Sequence, residues 1–430
     1  VTAELPYVRV YIGFSSPTVG SVFTVGHPTL GRVGMNPVGA DGTWVEVTQW
    51  VRAWSLRRGS GKGDDPTLRY DAGTATIVLN DGDRRFDPEN LAGPYVSAGR
   101  TQVEPMRRVK IVATWAGIDY PLFYGLADDF KPDYDGSFWT TTTLTATDAS
   151  KVFADEDRTA TTPVGAGEDA GARVTRLLDY YGWPATDRLI STGDTLLQAT
   201  DLGGNLLGEL QLVQDSEGGE LYLDASGRVV FRNRRAMVTS SRSTTSQALF
   251  GDDPAGYAVS GELPYADVEP STSDETMVNR VSVARAGGVE QVLEDAVAVG
   301  RYLNKTHTRN DLLMTTDDAA LQWGESVLYQ YAQPPRRHAR ITFNRPRPDV
   351  EAVMWPVLLG REFGDRITIR TRPAGGGAVI EKDSFIRGIE MSGDAATHQT
   401  AFVLQGADRY SFFVVGDPIL GRVGLNAVAY

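Results

Sequence analysis

Residues 71–88 read DAGTATIVLNDGDRRFDP, and the first half of this stretch fixes its own local structure by period. Thr74, Thr76 and Val78 fall on one side of an extended chain and Ala75, Ile77 and Leu79 on the other, an alternation that belongs to a strand and not to a helix. A polar corner follows at Asn80, Asp81, Gly82 and Asp83, where Gly82 is free to take a positive φ and Pro88 stops further pairing. Phe86 is expected to pack back under the corner.

Downstream, VKIVATWAG, PLFYGLADDFKPDYDG and WTTTTLTATDA give three more strands at 109–114, 122–128 and 140–147, separated by turn residues. Upstream, TWVEVTQWVRAWSLRRG supplies strand material with Trp50 and Trp54 as core candidates. A meander of this kind closes its edges most cheaply as a barrel or small sandwich. Later in the chain RITIRTRPAGGG, DSFIRGIEMSG and HQTAFVLQG repeat the order and spacing, with Phe385 and Gly388 answering Phe123 and Gly125. The expected fold is mainly β with an α+β insert, built on two similar β-barrel domains.

Between them the character changes. AGARVTRLLDYYGWP places Val174, Leu177, Leu178 and Tyr181 at helical spacing, and DLGGNLLGELQLVQDSEGG does the same with Leu202, Leu206, Leu207, Leu210 and Val213 despite three glycines. ELYLDASGRVVFRNR reads as a hairpin turning at 224–227. Helices are also expected over DDAALQWGESVLYQYAQPP, ended by Pro334 and Pro335, and over DVEAVMWPVLLGREFG, kinked by Pro356. The expected organisation is an N-terminal arm at 1–43, a first barrel at 44–149, the insert at 150–239, a connector at 240–271, a second barrel with helices at 272–408, and a C-terminal arm at 409–430.

The two arms share a motif. FTVGHPTLGRVGMN at 23–36 recurs as FVVGDPILGRVGLN at 413–426, identical at ten of fourteen positions. Each copy reads as a strand, a turn and a second extended piece. Either both copies cap domain edges, or both dock onto repeated sites of a partner, as extended segments do at open sheet edges. Phe23, Leu30, Arg32, Phe413, Leu420 and Arg422 are the corresponding interface candidates.

At 430 residues the chain is long enough for two to four cores. It has no cysteine, so packing and assembly must hold it together, in keeping with synthesis in a reducing compartment. Its formal charge, 42 minus 55 or -13, excludes a DNA-wrapping surface and suits a conduit that repels a passing duplex. No apolar run reaches bilayer length and the first residues lack a basic, then apolar, leader, so no membrane anchor is expected.

No catalytic constellation stands out. His27, His307, His338 and His398 are scattered and lack zinc-ligand spacing. The acidic corner at 80–83 reads as a turn, with an incomplete calcium loop as the alternative. Asp128 with Asp129 and Asp317 with Asp318 are adjacent and do not face one bond, and no serine sits in a nucleophile elbow. The sequon at Asn304, Lys305 and Thr306 has no secretory leader before it. Arg84 and Arg85, beside Asp83 and Asp87, make either a local ion-pair network or a contact to a neighbouring subunit, with Phe86 beneath. Arg336, Arg337, His338 and Arg340, joined by Arg345 and Arg347, form the notable positive cluster. Alternation puts Arg336, His338 and Arg340 on one strand face, read as solvated, as a protein interface or inner-surface contact, or as a nucleic-acid contact. No catalytic residue, metal ligand or cofactor is assigned.

GTATIVLNDGDRRFDPEN, then PMRRVKIVATWAG and LFYGLADDF, resembles the N-terminal barrel of minor tail proteins of long-tailed actinobacteriophages, which look like baseplate or tail hubs. Residues 73–88, 109–115 and 123–128 carry the match, and LLDYYGWP, LYLDASGRVVFRNR and TAFVLQGADR are also typical of it. The resemblance implies two hub-type barrels per chain and a homotrimer that presents six similar units to the sixfold tail tube. It implies a ring joining the distal tube to the tip of the virion tail, with the distal tail protein, tail tube protein, tape-measure protein and other minor tail proteins as partners. DNA would be in transit only, and synthesis would take place in the host cytoplasm. The chain ends at Tyr430 without the extension of hubs that carry a peptidase or cell-wall hydrolase, so no enzymatic activity is expected. A receptor- or glycan-binding tip protein, with Trp44, Trp115, Trp139 and Trp183 as platform candidates, and a distal tail adaptor are the alternatives.

Overall fold

The alternation at 74–80 is kept in three dimensions: Thr74–Asn80 is a strand with Ala75, Ile77 and Leu79 buried and Thr74, Thr76 and Asn80 exposed. A computed structural model describes residues 4–14, 44–61, 66, 69–97, 99–134, 140–155 and 160–410. Phe23, Leu30, Arg32, Phe413, Leu420 and Arg422 lie outside the described residues, as do both copies of the arm motif.

The strand belongs to a 13-stranded sheet. From one edge to the other its order is Asp267–Ser271, Arg337–Phe343, His398–Gly406, Ile380–Asp394, Val51–Gly59, Thr74–Asn80, Thr141–Thr147, Ile118–Pro132, Arg108–Trp115, Tyr7–Gly13 and Val45–Glu46, while Arg366–Thr371 pairs Ile380–Asp394 off this path and carries Leu249–Gly251 in parallel. The expectation of two β-barrel domains is therefore overturned. The strands of both supposed barrels stand side by side in one sheet, and neither set closes on itself. The physical reason is the free edge at Val51–Gly59. An isolated meander has to curl round to cover it, but here Gly388–Asp394 pairs it antiparallel from Gly59 to Ala53.

Two 15-residue strands, Ile118–Pro132 and Ile380–Asp394, bend the sheet by changing partners along their length. The first pairs Arg108–Trp115 with its front half and Thr141–Thr147 with its back half, with an irregularity at 127–129. The second leaves Arg366–Thr371 at Phe385 and takes up Val51–Gly59 at Gly388, again across an irregularity, at 386–388. An extra residue on one strand increases local twist, which suits a point where partners change. Tyr7–Gly13, read from the sequence as part of the arm, pairs along its whole length with Arg108–Trp115. Under the sheet lies a single apolar cluster that includes Ile77, Leu144, Ile111, Ile389, Phe402 and Trp355. Trp355 belongs to the helix Glu351–Gly360, which runs through Pro356 and ties the N-terminus down by donating from Nε1 to the Glu4 carbonyl at 3.1 Å.

Two smaller units sit on this sheet. The insert packs the helices Ala170–Tyr180 and Leu206–Glu217 over their own core, capped by Asp169 accepting from Ala172 N at 3.0 Å and Asn205 accepting from Gly208 N at 2.8 Å. Its hairpin Glu220–Leu223 and Val229–Arg232 turns where the sequence placed it. The other unit is a three-stranded sheet, Gln291–Glu294, Arg280–Arg285 and Thr306–Leu312, under the helix Asp317–Tyr331. Arg280–Arg285, expected in the second barrel, thus leaves the large sheet altogether.

Buried charge fastens these units together. Asp215 of the insert has a fully buried side chain and accepts from Arg69 at 2.5 Å and from Arg309 at 2.6 Å, one cation from beside the large sheet and one from the three-stranded unit. Arg387, 1% exposed, bonds Glu220 of the insert, the Tyr70 hydroxyl at 3.0 Å, the Tyr410 hydroxyl at 3.1 Å and Gln405 at 2.8 Å.

Candidate functional site

Side chains on the face of the large sheet opposite its main core can be followed directly from strand to strand. One row of register partners runs Asp267, Thr342, Ala401, Glu390, Arg57, Thr74, Thr147, Leu126, Arg108 and Gly13, edge to edge. A second row runs Gln399, Ser392, Ser55, Thr76, Thr145 and Asp129. A third runs Asp394, Ala53, Val78, Thr143 and Lys131. Because partners in antiparallel strands share a face, a period of two in each sequence becomes a two-dimensional field of hydroxyls and small side chains. Charges in it are of both signs: Arg340 bonds Glu390 at 2.5 Å, and Arg57 lies 3.8 Å from the same carboxylate. A groove of about 270 Å³ crosses it between Ser55, Thr76, Arg340, Glu390 and Gln399. The insert approaches this face near Leu126. There Gly227, at φ 83°, lies so close to Tyr124 that a Cβ would sit 2.5 Å from the ring.

The corner at 80–88 turns inward on itself. Phe86 is fully buried, edge-on to Trp50 at 5.7 Å and stacked with Tyr95. Asp81 accepts from Phe86 N at 2.9 Å and from the Thr142 hydroxyl at 2.7 Å, and Asp87 accepts from the Tyr134 hydroxyl at 2.9 Å. Arg84 donates to Asp87 at 2.8 Å, while Arg85 grips Asp83 and lies over the Trp50 ring at 4.0 Å. The left-handed residue is Arg84, φ 57°, and not Gly82. A sequence reader assigns that conformation to glycine, whereas here the Arg84 N to Asp81 O bond at 2.9 Å and the Asn90 bond to the Arg84 carbonyl at 2.7 Å hold it on arginine.

Arg336 precedes its strand and is exposed; Arg340 lies within the strand and joins the polar face through Glu390. His338 and His398 are buried, and burial pushes the His398 imidazole down to about 4. The tryptophans form no common platform. Trp44 lies under Lys110 and Arg108, Trp115 meets Trp355 at 6.0 Å, and Trp183 is buried against Phe153, with Trp139 outside the described residues. Among the described residues no group of three or more His, Asp or Glu side chains is placed to hold a metal ion, and no helix is long and apolar enough to cross a membrane. Sequence reasoning found the strands of the polar face but missed the face itself. The alternating threonines at 141–147 were the available signal.

No protein-family model and no curated protein matches the chain. Solved structures do. A tail protein from Neisseria meningitidis MC58 superposes with a TM-score of 0.56 at 11% identity, covering 94% of this chain and 99% of that one. A 43 kDa tail protein of prophage MuSo2 from Shewanella oneidensis gives 0.54 at 12% identity, covering 94% and 98%. Over nearly its whole length, the chain has the fold of these two tail proteins.

Proposed function

We propose that the chain is a non-enzymatic structural protein of a long-tailed phage. In this reading it is a ring-forming hub at the tail tip that joins the distal tube to the tip and surrounds the channel for tape-measure protein and DNA. The observation that carries this is the polar face of the large sheet. Ser55, Thr76, Thr145 and their neighbours offer hydroxyls and short side chains, with mixed charge and no large apolar anchor, over adjacent strands. A surface of that kind stays wetted and gives a sliding polymer nothing to grip, and the net charge of -13 repels phosphate. Turned toward the axis, it makes a lumen wall.

In this reading three copies surround the tail axis. The distal tail protein, tail tube protein, tape-measure protein and other minor tail proteins are the partners in this reading, and the virion tail tip, reached after synthesis in the host cytoplasm, is the location. Electron cryo-microscopy of assembled tails tests it. Three copies around the axis with Thr76 and Thr145 facing the lumen is the expected result; six equivalent copies, or this face buried against another protein, would overturn it.

A further inference from the structure

A groove of about 930 Å³ runs between the small three-stranded unit and the large sheet. One wall is made by the helix Ala296–Tyr302 and the C-terminal end of the helix Asp317–Tyr331, the other by Lys382 of Ile380–Asp394 and the turn at 407–410. The two walls are tied together. Arg409 is buried, donates to the Gln330 carbonyl and lies over the Tyr331 ring at 4.2 Å.

Arg301, Arg336 and Lys382 also line the groove, and among the described residues none of these three is in an ion pair. Two carboxylates share it: Asp408, and Asp295, which caps its helix by accepting from Ala298 N at 2.9 Å. Four cations against two anions leave the hollow positive on a chain of net charge -13. The excess reaches inward. Burial, then the Lys382 ammonium, hold the His338 imidazole below its ordinary range. Apolar surface lies beside the charge: Tyr329 is 42% exposed, and Leu328, Pro334 and Pro335 line the same hollow. Concave walls of low dielectric concentrate such a potential and call for an anionic ligand. One that fits brings a few separated negative charges with apolar groups between them. A continuous phosphate chain fits badly, because it sets charge against Asp295 and Asp408 as well. Residues 411–430 of this chain fit badly too, since their one acidic side chain, Asp417, is offset by Arg422.

We propose that this groove docks a short acidic peptide segment of another protein, its carboxylates reaching Arg301, Arg336 and Lys382 and its apolar side chains lying on Tyr329 and the two prolines. None of these residues lies in the rows of the polar face, so the docking surface is independent of the ring reading above.

The probe is a fluorescein-labelled octapeptide of alternating aspartate and leucine, titrated into the full-length chain by fluorescence anisotropy beside its lysine–leucine counterpart and a thymidine oligonucleotide of equal length. The acidic peptide is expected to bind at least about tenfold more tightly than either control. Arg336→Glu and Lys382→Glu, with folding checked by circular dichroism, are each expected to weaken it at least about tenfold, and Arg336→Gln and Lys382→Gln to act in the same direction where a reversal disturbs folding. Arg100→Glu, which reverses an exposed arginine outside the groove, is expected to leave binding unchanged. A benzophenone placed in the same peptide is expected to label residues 328–336. Equal binding of the lysine counterpart, indifference to the substitutions at both Arg336 and Lys382, or labelling elsewhere would overturn the proposal. An oligonucleotide that binds as tightly and responds to the same substitutions would also overturn it, making the groove a general anion site.

Discussion

Arg57 stands directly across from Glu390, and their strands form the seam where the early and late strands of the chain become one sheet. On the polar side the seam is held by half-exposed charge, Arg57 Nε lying 3.8 Å from Glu390; on the core side Leu56 is paired with Met391, both buried. The two sides should differ in weight. Arg57→Ala is expected to cost about 0–1 kcal/mol, whereas Met391→Ala is expected to cost about 2–5 kcal/mol through lost contacts and the cavity left behind. Urea unfolding followed by fluorescence checks both, and equal costs would mean that the seam is not held by its buried side.

Gly59 closes the same seam. Its φ is 88°, and a Cβ there would lie 2.3 Å from the Arg387 carbonyl oxygen. Gly59→Ala is expected to destabilise by about 2 kcal/mol or more, from a strained backbone and a forced separation of the two strands. Thermal unfolding of this variant at a melting temperature equal to wild type would contradict the close approach.

Arg387 and Glu220 join the insert to the sheet in a setting with almost no solvent. Removing one partner strands the other charge, so Arg387→Ala is expected to cost about 3–5 kcal/mol. Replacing both with apolar residues of similar size, as in Arg387→Met with Glu220→Met, should recover much of that loss. Denaturant titration of the two variants separates the outcomes, and a double variant no better than Arg387→Ala would point to the tyrosine and glutamine bonds as the main contribution.

His398 lies edge-on to Trp355 at 4.8 Å and to Trp54 at 5.4 Å, with its Nε2 unpartnered among the described residues. Burial lowers its pKa from 6.5 to about 4, so between these values the unfolded chain binds the proton that the folded chain refuses. Stability from this group is therefore complete above pH 6.5 and falls as pH drops toward 4, by up to about 3 kcal/mol. His398→Phe should flatten the pH dependence of unfolding free energy across that window relative to wild type. An unchanged slope would assign the acid sensitivity to other groups.

Much of the chain was legible one element at a time. The period of two at 74–80 and 141–147 and the helical spacing at 174–181 are properties of short windows, where the alternation of buried and exposed side chains is written directly into residue order. The resemblance between the long strands around Phe123 and Phe385 was also visible. The identity of each strand's neighbour was not. Val51–Gly59 has the same alternation whether it closes a barrel with its own meander or joins Ile380–Asp394, more than 300 residues along the chain, because backbone hydrogen bonds carry no label for their partner. The same limit hid the left-handed Arg84, fixed by contacts with Asp81 and Asn90, and the polar face, which exists only once six or more strands are in register. Sequence by itself determined the strands, the helices and which side of each is apolar, since these follow from local sterics and the hydrophobic effect. Only the tertiary structure decided that the early and late strands share one sheet, since strand pairing is settled by which edge is left unsatisfied after everything local has formed.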